Sequence, residues 1–272
     1  MDHNSLPPQL IESLIGELAD EEIAGIMLAG SYARGEATRF SDIDIAPFLH
    51  EGAPPRKKRL FYRDDYLVSV SYKTAAGVRA DLSLPNRAIW VVNGYRGAQV
   101  LLDRDGTIRA LMREIEAFTW EPLQPAANEY AGASLAGSAE AVHKLLGDLS
   151  MGNDLAIALT TTNLLWSLTD LVAVQRGVLV QSDRTYYRQV QESVGLESAW
   201  TRYHNIAAGV APLADEEQGT PARSRGIAVL ALYRETLALV ESFIPPHHRE
   251  TAAQAVRILD AALPSAYQKL LQ

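Results

Sequence analysis

The chain has 272 residues, 47% of them hydrophobic, and a formal net charge of −8. It is long enough to bury one large core or two modest ones, and its lack of cysteine excludes disulfides, thiolate metal sites and cysteine nucleophiles. Because both halves are net acidic and nucleic-acid binding depends on clustered Lys and Arg, the charge disfavours a nucleic-acid partner and favours a small cationic one.

The first part of the chain, residues 1–122, predicts a small domain of mixed helices and strands. Apolar residues of 10–18 fall on one helical face after two prolines, and the apolar run 23–29 predicts a strand. Alternating or β-branched patterns predict further strands at 41–48, 60–62, 66–72 and 99–102. We therefore expect an α+β (mixed α/β) domain here.

The second part, residues 123–272, is rich in Ala and Leu and predicts an all-helical bundle domain. Break signals at 151–153, 177, 195, 215–221 and 245–246 divide it into about five helices. Thr220 followed by Pro221 is a helix start, with Thr as the N-cap and Pro at the first helical position.

The run 155–174 is apolar over about the 20 residues that a membrane span requires. Four threonines, Asn163 and Asp170 interrupt it, so we expect a buried bundle helix and no membrane partner. The N-terminus has neither the basic region nor the apolar region of a secretion signal, which favours a cytoplasmic protein.

One short stretch, residues 28–45, carries the residues suited to phosphate chemistry. Gly30 follows a predicted strand, where a residue without a side chain lets the backbone approach a polyphosphate, and Ser31 adds a hydroxyl donor. Asp42 and Asp44 stand two apart in a predicted strand, so their carboxylates should project from one face. Two carboxylates together with substrate phosphates are typical ligands of Mg²⁺.

Other motifs in the chain are incomplete. Gly30 and Gly35 have the glycine spacing of a Walker loop, but Glu36 stands where that loop needs lysine. Residues 132–136 lack the last glycine of a serine-hydrolase elbow, and residues 103–106 are too short for a calcium loop and predict a turn.

Gly30-Ser31, a gap and then the Ser-Asp-Ile-Asp of 41–44 resemble the signature of the DNA polymerase beta-like nucleotidyltransferases. The resemblance is to the small-molecule branch in particular, which includes the aminoglycoside nucleotidyltransferases. It implies that Gly30 and Ser31 hold the β- and γ-phosphates, that Asp42 and Asp44 bind Mg²⁺, and that Ser41 supports the phosphate side.

Two arginines of the same loop, Arg34 and Arg39, are further candidates for contacts with the triphosphate. The basic run 56–59 is more typical of a solvated face, although it could attract phosphate. We expect the four tryptophans, including Trp166, to pack in cores or between domains.

The chain departs from the family at the third carboxylate, which relatives usually supply from the next strand. Ser69 or Ser71 occupies that place, and Asp65 and Asp81 are possible substitutes. Some small-molecule members resembling this layout take the base from the helical domain, and on that ground Glu129 is our candidate for the catalytic base.

The resemblance implies Mg²⁺-dependent transfer of a nucleotide, AMP from ATP, to a hydroxyl of a small aminoglycoside-like acceptor, with release of pyrophosphate. Such an activity would confer antibiotic resistance. One alternative is a toxin-type nucleotidyltransferase acting on tRNA or protein, for which only the basic run 56–59 hints at a groove. The other is a non-catalytic nucleotide-binding or partner-binding module, which the absent third carboxylate would suit.

Overall fold

The structure is a computed structural model that describes residues 5–211 and 220–262. Contacts divide the chain into two compact units. The first contains Met1–Glu121 together with Leu179–Asp183, and the second contains Pro122–Val178 and Arg184–Gln272. The return of Leu179–Asp183 to the first unit, where the Leu179 carbonyl accepts a hydrogen bond from Asn93, has no signal in the sequence.

The first unit is built on a five-stranded mixed sheet with the order β3-β4-β2-β1-β5. β2 pairs in parallel with β4, and the other three pairings are antiparallel. The elements are α1 (Pro8–Leu18), β1 (Ile23–Ala29), α2 (Gly30–Arg34), β2 (Ile43–Leu49), β3 (Arg59–Arg63), β4 (Tyr66–Val70), α3 (Ala75–Leu82), α4 (Pro85–Arg96), β5 (Gln99–Asp103) and α5 (Thr107–Glu116).

Side-chain periodicity explains how these elements pack. α1 begins at a proline and buries Leu10, Leu14 and Leu18, which share one face. They join a core that includes Ile43 and Ile45 of β2, both almost fully buried. The packed core therefore fixes the start of β2, where Asp44 lies within the strand and Asp42 directly precedes it.

The second unit is helical throughout its described residues. Its helices are α6 (Gln124–Gly137), α7 (Ala139–Met151), α8 (Asp154–Arg176), α9 (Tyr186–Val194), α10 (Ala199–Ala208), α11 (Pro221–Val240) and α12 (Arg249–Ala262). The structure therefore confirms the fold class, a mixed α/β domain followed by a helical region.

The helices are more numerous than the five expected, because the chain also breaks at places without a strong signal. Between α6 and α7 it turns at Ser138, directly after Gly137, a glycine that the sequence analysis did not count as a break. The predicted start at Thr220 is confirmed, since its side chain accepts a hydrogen bond from the Arg223 amide and Pro221 occupies the first turn. Part of the break expected at 215–221 lies outside the described residues.

α8 is the apolar helix that raised the question of a membrane span. By length and composition it could cross a bilayer, and 56% of its apolar window is buried within the protein. Leu164, Leu168 and Leu171 are among its fully or almost fully buried residues. This burial matches the expected core helix of a bundle.

Candidate active site

Asp42 and Asp44 lie together at the start of β2. Asp44 is the second residue of the strand, whereas Asp42 precedes it rather than standing within it as expected. The pKa of the half-buried Asp44 carboxyl is raised, first by burial and then by the negative charge of Asp42. The two carboxylates therefore act on one another, and within the described residues neither forms a salt bridge.

Gly30 borders the Asp44 carboxylate. Its φ of 68° lies in the left-handed region, and a Cβ built there would collide with Asp44 Oδ2. Only glycine adopts this conformation without strain and leaves the carboxylate in place. The glycine is thus required by the position of the acid as well as by the turn from β1 into α2.

Ser31 follows on α2 and is partly exposed. Across residues 5–211 and 220–262, its hydroxyl forms no hydrogen bond, so it is available to a ligand. Its carbonyl accepts the Glu36 amide at 2.9 Å, which closes the loop after α2.

Ser41 lies in the turn before Asp42, and its support of the phosphate side stays a prediction. Its buried hydroxyl accepts a hydrogen bond from the Thr38 amide at 2.9 Å, and its own amide bonds back to the Thr38 carbonyl at 3.0 Å. These bonds order the turn that leads into Asp42. Ser41 therefore holds the loop, and any effect on phosphate would act through that loop.

The two loop arginines differ in how firmly they are held. Arg34 is mostly buried, forms an ion pair with Glu36 at 2.9 Å and packs closely against Gly97. Its positive charge lowers the pKa of Asp44. Arg39 is exposed, with its guanidinium 5.6 Å from the centre of the Phe40 ring.

The position of the third carboxylate is filled by Ser69. The parallel register pairs it with Asp44, it is almost fully buried, and its hydroxyl donates a hydrogen bond that lowers the pKa of Asp44. Among the described residues, no third His, Asp or Glu joins Asp42 and Asp44 in a group that could hold a metal.

Neither suggested substitute joins Asp42 and Asp44 in such a group among the described residues. Asp65, with φ of 67°, forms the β3-β4 hairpin turn four residues before Ser69, roughly 13 Å along the strand. Asp81 lies on α3, where its charge acts on Tyr95.

Lys58 is a site residue that the sequence analysis did not single out. Within the basic run, Arg56 pairs with Asp20 and Glu22, and Arg59 pairs with Glu17 at 2.7 Å. Lys58 instead lowers the pKa of Asp44 through its charge. No sequence signal separates it from its neighbours, because the relation depends on how β3 lies in the sheet.

Glu129 lies on α6 in the second unit and is exposed. It stays a prediction as the catalytic base.

The residues of the first unit fit a divalent cation. Mg²⁺ typically binds through one or two carboxylates and completes its shell with substrate phosphates and water. Asp42 and Asp44 supply two close carboxylates, and the space that a Cβ at Gly30 would fill lies directly beside one of them.

One comparison with known proteins covers the residues of this site. Residues 11–93 match the family model of the nucleotidyltransferase domain, a stretch that contains Gly30, Ser31, Asp42, Asp44 and Ser69. Among solved structures, a nucleotidyltransferase-like protein from Exiguobacterium sibiricum resembles the chain at 13% identity and a TM-score of 0.49, covering 87% of this chain and 77% of that one. No curated protein matches the chain significantly.

The first unit thus carries a nucleotidyltransferase domain, which supports nucleotidyltransferase as the enzyme class. The match confirms the resemblance at the level of the polymerase beta-like domain. It does not extend to the aminoglycoside branch, which stays a prediction.

Proposed function

We propose that the chain transfers AMP from ATP to a hydroxyl of a small cationic acceptor, with Mg²⁺ bound by Asp42 and Asp44. The observation that carries the proposal is the pair of interacting carboxylates set against a glycine whose Cβ would occupy the same space. Two close carboxylates repel one another, and a divalent cation bound to a polyphosphate relieves that repulsion.

In the proposed reaction, the acceptor oxygen forms a bond to the α-phosphorus while the bond to the pyrophosphate oxygen breaks. The bound ion would stabilise the charge that develops on the phosphates. Ser31 donates a hydrogen bond to the triphosphate, and Gly30 lets the backbone approach it. Arg34 supplies positive charge near Asp44, we assign Arg39 a contact with the triphosphate, and Ser41 keeps the loop in position.

A base must accept the proton of the acceptor hydroxyl. Ser69 cannot take that role, because it donates its hydrogen bond to Asp44 and carries no negative charge. We assign that role to Glu129. The cationic character of the acceptor follows from the net charge of −8, which disfavours RNA, and Arg56 and Arg59 are already engaged in ion pairs. We place this activity in the cytoplasm.

A non-catalytic nucleotide-binding module is the second candidate, and Ser69 in place of an acid is the observation that favours it. Incubation of the purified chain with each labelled nucleoside triphosphate, Mg²⁺ and a panel of amine and amino sugar acceptors separates the two. We expect acceptor-dependent pyrophosphate release that stops when the metal is chelated. Triphosphate binding without release under all these conditions would assign the chain to the second candidate.

A further inference from the structure

The helical unit contains a pocket of about 600 Å³. It is formed by side chains of α6, α7 and α8, so it belongs to the second unit alone. Its volume falls within the range of about 300–1,000 Å³ that small-molecule sites occupy. Tyr130, Asn163, Trp166, Ser167 and Asp170 are among the residues that line it.

Asp170 brings a negative charge to this pocket without a positive partner. One carboxylate oxygen accepts a hydrogen bond from the Tyr130 hydroxyl at 2.7 Å, and in the part of the chain that the structure describes the group forms no ion pair. Burial raises the pKa of the carboxyl, and only the Tyr130 hydrogen bond opposes that effect. A partly buried carboxylate without a cation is stabilised when a ligand supplies one.

Lys144, a basic residue that lines the same pocket, does not pair with Asp170. Lys144 pairs with Glu140 at 2.6 Å, and both side chains are largely exposed to solvent. Its charge is not among the causes that shift the pKa of Asp170.

Trp166 offers an aromatic face beside the acid. It lies one helical turn before Asp170, on the same side of α8, and is 50% exposed rather than packed in a core, one of the two positions that we expected for it. The indole packs against Tyr186 and Tyr187, with ring centres 5.4 and 6.4 Å away, which fixes its orientation. A carboxylate next to an aromatic face is an arrangement that attracts organic cations.

We propose that this pocket binds a small organic ammonium ion, with the charged nitrogen held between the carboxylate of Asp170 and the ring of Trp166. The Asn163 amide and the Ser167 hydroxyl oxygen provide hydrogen bonds to the rest of the ligand. The proposal concerns binding by the helical unit and does not depend on the transfer reaction.

Calorimetric titration of the full chain, without nucleotide or metal, tests the proposal. The charged probes are putrescine and glucosamine, and their neutral counterparts are butanediol and N-acetylglucosamine. We expect each charged probe to bind at least about tenfold more tightly than its neutral counterpart, because only the charged probe can pair with the Asp170 carboxylate.

Two variants locate the site. Asp170→Asn keeps an acceptor for the Tyr130 hydroxyl and removes the charge, so it should lose at least about tenfold in affinity for the charged probes. Trp166→Leu, at a half-exposed position, should lose about threefold or more. Glu197→Gln, an exposed acid of the same unit outside the pocket, is the control and should bind as the wild type does.

Equal affinity for charged and neutral probes, no binding of either charged probe, or unchanged affinity in both Asp170→Asn and Trp166→Leu would overturn the proposal. Because the titration contains neither nucleotide nor metal, a negative result would not contradict the proposed transfer reaction. Likewise, absence of transfer would not contradict ammonium binding by the helical unit.

Discussion

At the scale of single residues, the site depends on Asp42 and Asp44. Burial and the charge of Asp42 make the charged form of Asp44 unfavourable in the absence of a cation. Neutralising either one should remove function without removing stability. Asp42→Asn and Asp44→Asn should each lower turnover by on the order of 10² or more, as loss of a comparable electrostatic contact does elsewhere. Without metal their melting temperatures should hold or rise, because burial and mutual repulsion already disfavour the charged form of Asp44.

Asp103 is the matched control, because we expect its substitution to lower stability and leave turnover unchanged. Its fully buried carboxylate accepts hydrogen bonds from the amides of Ile108 and Arg109 in the first turn of α5, at 3.3 and 3.1 Å. Asp103→Asn should cost about 1 kcal/mol of stability and keep its turnover. Pyrophosphate release and thermal melts measure both properties, and wild-type turnover in both Asp42→Asn and Asp44→Asn would contradict the metal assignment.

Gly30 allows an equally controlled test, since Gly35 has nearly the same φ, 70° against 68°. Alanine at either position should cost about 1–2 kcal/mol of backbone strain. Only at Gly30 would the new Cβ meet the Asp44 carboxylate, because nothing lies within 4 Å of the corresponding position at Gly35. We therefore expect both variants to melt earlier and only Gly30→Ala to bind Mg²⁺ and ATP more weakly in a titration. Equal affinity in the two variants would show that the contact with Asp44 does not matter.

At the scale of elements, the parallel pairing of β2 and β4 decides what lies beside the acids. Because residue 69 pairs with Asp44, Ser69→Asp should place a third carboxylate in the cluster. The added negative charge should lower the melting temperature of the metal-free protein, and Mg²⁺ should raise it more than in the wild type.

Ser69→Asn controls for the larger side chain in a buried position. It has nearly the same shape as the aspartate variant without the charge, so its response to Mg²⁺ should resemble that of the wild type. Melting scans with and without Mg²⁺ measure the difference, and identical shifts in the two variants would show that residue 69 does not face the ion.

At the scale of the whole molecule, His204 makes stability depend on pH. It is fully buried between the Thr169 hydroxyl and the Gln191 amide, each 3.0 Å from a ring nitrogen, and stacks on Trp200. Burial lowers its pKa from 6.5 to about 4. The unfolded chain therefore binds a proton at a pH where the folded chain does not, and stability falls as the pH decreases from about 6.5 to about 4.

The loss attributable to His204 amounts to about 3 kcal/mol, at about 1.4 kcal/mol for each unit of pKa shift. His204→Gln removes the titrating group and should flatten this part of the profile. Denaturant unfolding of both proteins across that pH range measures the effect. Parallel profiles would mean that His204 is protonated in the folded state or accessible to solvent.

Much of this architecture could be predicted from local patterns. The alternation or run length of apolar residues located β1 and β2 to within two residues, because a side-chain period of two is a property of the backbone alone. The Gly30-Ser31 and Asp42-Asp44 pattern indicated the domain class, which the family match confirms. The break at Ser138 was missed although Gly137 directly precedes it, because single glycines also lie inside helices here, as Gly132 and Gly147 do.

The sequence alone determined the features that depend on residues close together in the chain. These are the division into a mixed part and a helical part, and the residues suited to binding phosphate and metal. The tertiary structure alone decided that Ser69 rather than Ser71 lies beside Asp44, that the charge of Lys58 acts on Asp44, and that Asp170 lines a pocket where no cation pairs with it. Each of these relations joins residues far apart in the sequence or on different elements. Strand order and helix packing set them, and no spacing along the chain encodes either one.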